Sequence, residues 1–107
     1  MSWERVKQML HLARRARVII GGDRAVRLAI RKRRAKFILI AEDAAERTKR
    51  NILFYARRAG VPAVVYGRKE ELGLVQNRSS CAVIAVMDEN FARGIMQYLT
   101  AGREDIM

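Results

Sequence analysis

The sequence predicts an α/β protein: a three-layer α-β-α sandwich on a mixed sheet of about four strands. Three observations lead there. Short apolar runs, "RVII", "KFILIA", "AVVY" and "CAVIAV", alternate with segments whose apolar residues recur at helical spacing. "FILIA" is apolar without interruption, as in a central strand covered on both faces by helices. A single proline, with no Ser/Gly tract, repeat or low-complexity segment, leaves no visible linker, so residues 1–107 are expected to form one domain.

Each element has its own signal. From Ser2, a suitable N-cap, Trp3, Val6, Leu10 and Ala13 recur at helical spacing, with Met9 and Ala16 beside them. "RVII" follows as a short strand, broken by Gly21 and Gly22. A second helix starts near Asp23 and turns Ala25, Val26, Ala29 and Ile30 inward, and "KFILIA" then forms the central strand. The third helix is the most fully punctuated. Asp43 and Glu46 stand three apart like a capping box, Arg57 and Arg58 suit the negative helix end, and Gly60 stops it. Its expected buried side is Ala45, Thr48, Ile52, Ala56 and Ala59. After Pro62 come the strand "AVVY", a short helix around "RKEELGLV", a polar loop "QNRSS" and the strand "CAVIAV". A last helix, capped by Asp88, carries Phe91, Ile95 and Leu99 inward.

Charge narrows the function. Lys and Arg number 22 against 11 Asp and Glu, a net charge of +11, and most of the cations are arginine. Such an excess repels itself in the folded state, which makes sense where a polyanion neutralises it, and arginine suits bidentate contact to phosphate or base edges. Nucleic acid therefore stands ahead of an acidic membrane or acidic protein, and ahead of a basic surface that is merely solvated. No apolar run has the roughly 18 residues of a membrane span, and "MSWERVKQML" lacks the apolar core of a signal peptide, so a cytoplasmic protein is expected. Cys81 is the only cysteine, which excludes an internal disulfide and a zinc site and leaves it as a small residue at the edge of the core.

The stretch "GGDRAVRLAIRKRR" combines two signals. Glycines between a strand and a helix admit close approach to the backbone, and the first N–H groups of the helix favour an anion; a tight turn alone explains them equally well. Nucleotide-binding loops are disfavoured, because neither the Lys-Ser/Thr pair nor the third glycine is present. Arg24, Arg27, Arg31 and Arg34 recur at spacings of three, four and three, placing like charges on one stripe opposite the buried residues. A phosphate backbone along the helix accounts for that stripe, with Lys32 and Arg33 widening the patch; a solvated face is the alternative. On the third helix Phe54 falls among Arg47, Arg50 and Arg58, where it either stacks an unpaired base, docks a partner, or lies beneath the final helix or the C-terminal tail.

Catalytic arrangements are thin. His11, the only histidine, faces away from the apolar side of its helix, and the pairs Glu42-Asp43 and Glu70-Glu71 sit at helix starts, where capping explains them. No nucleophile-base pair, cofactor motif or metal cluster can be assembled, so no cofactor, no metal and no enzyme activity are expected.

"AKFILIAEDAAERTKRNI", followed by "GVPAVVYGRKEELG" and "AVIAVMDENFAR", resembles the ribosomal protein seven-Ae/thirty-e superfamily, in particular its bacterial YlxQ-like branch of small ribosome-associated proteins. The resemblance covers roughly residues 5 to 98. It implies the same sandwich and binding of structured RNA, typically a kink-turn, at the end of the first strand. Family members open the second helix with G-T-N-E-x-x-K, in which Asn and Glu read sheared G·A pairs and Lys contacts the backbone. An ungapped match puts the motif glycine on Gly22 and the Asn, Glu and Lys positions on Arg24, Ala25 and Leu28. Starting instead at Gly21 gives Asp23, Arg24 and Arg27, chemically closer, but it breaks the match of the buried Ala29-Ile30 pair. In the preferred register only the glycine survives, so phosphate contact by arginine replaces part of the base readout. The apolar loop that relatives lay against a flipped-out nucleotide corresponds to the polar run Gln76-Asn77-Arg78-Ser79-Ser80.

Together these readings predict a monomeric, cytoplasmic, non-enzymatic protein that binds ribosomal or other structured RNA and has no membrane partner. Gly21, Gly22 and Asp23 would form its hinge, Arg24, Arg27 and Arg31 would hold phosphates, and Asn77, Arg78 and Ser79 would close the groove. Two alternatives stay open: an adaptor that docks translation factors or another acidic partner in the translation apparatus, and an RNA-recruiting subunit of a modification enzyme.

Overall fold

A computed structural model describes residues 3–100. The expected α/β sandwich is present, with five helices and a four-stranded mixed sheet among the described residues. The elements run α1 (Trp3–Arg15), β1 (Ile19–Gly21), α2 (Asp23–Arg31), β2 (Phe37–Ile40), α3 (Glu46–Ala59), β3 (Ala63–Val65), α4 (Lys69–Val75), β4 (Val83–Val86) and α5 (Glu89–Thr100).

Strand order is β1-β4-β2-β3. β2 pairs in parallel with β3, Ile38 opposite Ala63, while β4 runs antiparallel to both neighbours, Ala85 lying opposite Ile20 on one side and Ile38 on the other. β1, β2 and β3 therefore point the same way. The connections β1-α2-β2 and β2-α3-β3 advance in one direction across the sheet, so right-handed crossovers put α2 and α3 on one face, where they pack together. α1 packs on α5 and α4 to form the other layer.

Burial follows this order. Every residue of the two central strands is buried, from Phe37 to Ile40 and from Val83 to Val86, whereas the edge strand β3 is half-buried throughout. Val6, Leu10 and Ala13 of α1, Val26, Ala29 and Ile30 of α2, Ile52 and Ala56 of α3, and Ala92, Ile95 and Leu99 of α5 close on the sheet. Each such large side chain stabilises the fold by about 1.5–3 kcal/mol. Among the described residues no polar side chain is buried and none hides an unsatisfied N or O atom.

Several local expectations are corrected. Ser2 lies outside the described residues. Ala16, Ala45 and Ala59 are exposed rather than buried, and Gly21 belongs to β1, paired with Ile84. Arg34 falls beyond the end of α2, so the helix carries three stripe arginines rather than four. Asp43 does not cap α3, which starts at Glu46 after Ala45. Its Oδ1 instead accepts the Lys69 N–H at 2.8 Å, capping α4 from the loop that follows the neighbouring strand β2. Asp88 does cap α5, its Oδ2 accepting the Phe91 N–H at 2.9 Å.

Four helices close with the same reversal, in which the chain turns through the left-handed region and two N–H groups satisfy the last carbonyls. Arg17 (φ 63) ends α1, Arg33 (φ 59) ends α2, Gly60 (φ 72) ends α3 and Asn77 (φ 58) ends α4. Only Gly60 announces itself in the sequence.

Candidate functional site

The end of β1, the start of α2 and the return from α4 to β4 meet at one rim of the sheet. Gly21 leaves room there for side chains of the loop: a Cβ would collide with the Gln76 amide, which would have to move, and sit 2.9 Å from Cys81 Sγ. Gly22 has φ 103, donates its N–H to Val83 O at 2.9 Å, and starts α2 without a side-chain cap. The position its Cβ would take lies 3.6 Å from Arg78 Nη1. The structure thus brings Gly21, Gly22 and Arg78 together.

The loop is held in that place by its own helix. Asn77 adopts the left-handed turn and donates its N–H to Leu74 O, while the Arg78 N–H bonds Gly73 O at 2.8 Å. Gly73 is pressed from outside, since a Cβ there would meet the Arg78 carbonyl and the Ser80 backbone at 2.7 Å. Cys81, buried as expected at the core edge, donates its N–H to Lys69 O and its thiol to Val83 O at 3.3 Å. Asn77, Arg78, Ser79 and Ser80 remain exposed.

Carboxylates fix α4 beneath this loop. Glu71 Oε2 accepts the Trp3 indole N–H at 2.8 Å, and its Oε1 accepts the Arg68 N–H at 3.0 Å. The indole bond above all, then the Arg68 amide and the Lys7 ammonium, hold the Glu71 carboxyl below its ordinary range. The Lys69 amide likewise lowers Asp43, with help from Arg68 and Lys69 as charges. Trp3 also packs edge-on to Tyr66 at 5.0 Å and covers Gly67, where a Cβ would come within 2.6 Å of the indole.

Arg24 is exposed in the first turn of α2, and Arg27 Nη2 pairs with Asp23 Oδ2 at 3.3 Å, so the stripe is partly neutralised by its own helix. Arg31 stands at the far end of α2, eight residues from Asp23 and about 12 Å along the axis. It borders a second groove rather than the Gly22 rim. Phe54 does not lie beneath α5: it is 51% exposed, with Tyr55 and the Arg58 guanidinium against its ring, and the C-terminal tail lies outside the described residues. Sequence reading passes over Leu74, 71% exposed one turn before Asn77; nothing in a short apolar stretch distinguishes it from its buried neighbours Leu72 and Val75. His11 is exposed, and among the described residues no cluster of His, Cys, Asp or Glu could hold a metal ion.

Helices on both faces of a mixed sheet define a small α/β sandwich that brings the glycine-opened turn and the Arg78 loop together at one end of its strands. Comparison with known proteins agrees with that architecture. The chain belongs to the ribosomal protein L7Ae/L30e/S12e/Gadd45 family, whose model matches residues 4–96. It is 32% identical over 91 residues to the RNA-binding protein YlxQ of Bacillus subtilis, covering 85% of this chain and 91% of that protein. To the large ribosomal subunit protein eL30 of Aeropyrum pernix it is 38% identical over 71 residues, 64% of this chain and 71% of the other. A solved protein of unknown function from Bacillus halodurans superposes with TM-score 0.82 at 27% identity, covering 85% of this chain and 92% of that one. The Giardia lamblia 15.5kD RNA binding protein superposes with TM-score 0.75 over 94% of this chain and 88% of its own, at 21% identity, a likeness of fold.

Proposed function

We propose that the protein binds structured RNA in association with the ribosome, without catalysing a reaction, and that the Gly22 rim is its principal contact. The observation that carries this reading is the approach of the Arg78 guanidinium to Gly22, a residue that has no side chain to keep a ligand off the backbone. The first N–H groups of α2, uncapped by any side chain, add the positive end of the helix dipole at the same point. Arg24 on one side and Arg78 on the other neutralise phosphates, which set register. Asp23, held by Arg27, accepts from base amino groups, and Asn77 and Ser79 offer donors and acceptors to base edges. Leu74 supplies apolar surface that the polar loop lacks. The names of the eL30 and YlxQ relatives support the RNA and ribosome assignments.

Binding of a folded ribosomal RNA fragment, titrated over a range of salt, tests this. Arg24→Ala combined with Arg78→Ala is expected to weaken binding and to flatten the slope of log K against log salt by about 0.7–0.9 for each phosphate no longer neutralised. An unchanged slope removes both residues from the interface. Heparin competing as well as folded RNA at matched charge would show that shape is not read, and would favour the adaptor reading.

A further inference from the structure

The opposite rim of the sandwich carries a second cationic surface. There the end of α2, the end of α3 and the first turns of α5 enclose an open groove of about 1130 Å³. That exceeds the 300–1,000 Å³ typical of small-molecule sites, and its open form suits a polymer rather than an enclosed metabolite. Arg27, Arg31, Arg33, Lys36, Arg58 and Arg93 line it, and among the described residues Glu89 is the only carboxylate there, lying 3.9 Å from Arg93. Among the described residues no carboxylate pairs with Arg31, Arg33, Lys36 or Arg58. In the same groove Phe54 and Tyr55, 51% and 41% exposed, meet edge to face at 5.5 Å, and the Arg58 guanidinium lies 5.6 Å from the Phe54 ring centre.

We propose that this groove binds unpaired nucleotides of RNA: a base stacks on the Phe54, Tyr55 and Arg58 cluster while flanking phosphates lie against Arg31, Arg33 and Lys36. Exposed aromatic rings interleaved with uncompensated cations are the arrangement that holds single strands, because each base offers a π-face and each phosphate a charge. An acidic protein would satisfy the cations but gives no reason for two neighbouring aromatic rings to stay in water.

Arg33 reaches the groove from a helix-ending turn. It occupies the left-handed position that reverses the chain after α2, its N–H bonding Ile30 O while the Arg34 N–H bonds Ala29 O. At the neighbouring corner of the groove α3 makes the same reversal with Gly60. Holding a residue with a Cβ there is unfavourable where glycine costs nothing. Arg17 makes the same turn away from the groove, so the turn alone marks no site; what it does here is place Arg33 on the groove's lining.

The inference rests on the proposed function only in taking RNA as the ligand; the two rims lie at opposite ends of α2 and can fail separately. The test uses the full chain and an unstructured 12-nucleotide RNA carrying 4-thiouridine, read by fluorescence anisotropy and by mapping the photocrosslink. Phe54→Ala is expected to weaken binding about fivefold or more and to abolish the crosslink to the 51–58 segment. Arg33→Gly is expected to flatten the salt slope by about 0.7 with an unchanged or higher melting temperature, since the turn prefers glycine. Arg24→Ala with Arg78→Ala should weaken binding of folded RNA while the oligomer still crosslinks to 51–58. Wild-type oligomer binding by both Phe54→Ala and Arg33→Gly would overturn the proposal. So would displacement of the oligomer by poly-glutamate as effectively as by unlabelled RNA, which would make the groove a protein-docking surface.

Discussion

Glu71 ties α4 to the distant α1 through one carboxylate: the Trp3 indole and the Lys7 ammonium of α1 reach it, together with the Arg68 amide at the start of its own helix. Because these contacts favour the charged form, its folded pKa lies below its unfolded value near 4.5. The stability it supplies is therefore complete above that unfolded value and disappears as pH falls through the lowered folded value. Glu71→Gln should reduce stability at pH 7 by about 0.5–1 kcal/mol, allowing for solvent screening of a half-exposed group. It should also make the fall in melting temperature below pH 5 shallower. An acid limb as steep as the wild type's would show that Glu71 titrates with an ordinary pKa. Asp43 shows why such roles escape a sequence reading. Its distance from Glu46 suggests a local capping box, yet its partner is the Lys69 amide, 26 residues away, and spacing along the chain carries no record of that bond. Arg17 and Arg33 escape for a different reason: the turns they make ordinarily use glycine, and nothing local marks an arginine that must adopt φ near 60.

At the level of elements, α4 and its return loop decide whether the Gly22 rim exists. Gly73 lies on the helix face against which residues 78 to 80 double back, so replacing it with alanine drives a methyl group into backbone rather than into a yielding side chain. Gly73→Ala is expected to cost about 1–3 kcal/mol and to displace Arg78 from Gly22, lowering affinity for folded RNA together with the melting temperature. Retention of both would mean that the loop shifts freely and that its position is not what forms the rim. The helix itself is legible, because "KEELG" puts acids in the first turn and apolar residues behind them. Its glycine is not interpretable from sequence, since the chain pressing on it arrives through the left-handed turn at Asn77. The strands divide similarly. "FILI" and "VIAV" declare themselves as covered on both faces, but a run apolar at every position has no facing pattern, so neither the direction of β4 nor its place between β1 and β2 can be read.

Across the whole molecule, a charge of +11 sits on a body of about 32 × 28 × 26 Å. Screening lengths are about 10 Å at 0.1 M salt and 3 Å at 1 M, so cations sharing one rim repel one another in dilute salt while the two rims scarcely interact. Two of the ion pairs, Asp23 with Arg27 and Glu89 with Arg93, only partly offset this, because both are exposed pairs worth little each. Folding concentrates the remaining charge, and an anionic ligand relieves it. Salt should therefore act with opposite signs on the two properties. Raising it from about 0.05 to about 0.5 M is expected to raise the melting temperature of the free protein by a few degrees, through screening of like charges, while sharply weakening RNA binding by shrinking the gain from counterion release. If the melting temperature fell instead, attraction within pairs such as Lys7 and Glu71 would outweigh repulsion along the rims, and the excess of arginine would need an explanation other than a polyanionic partner.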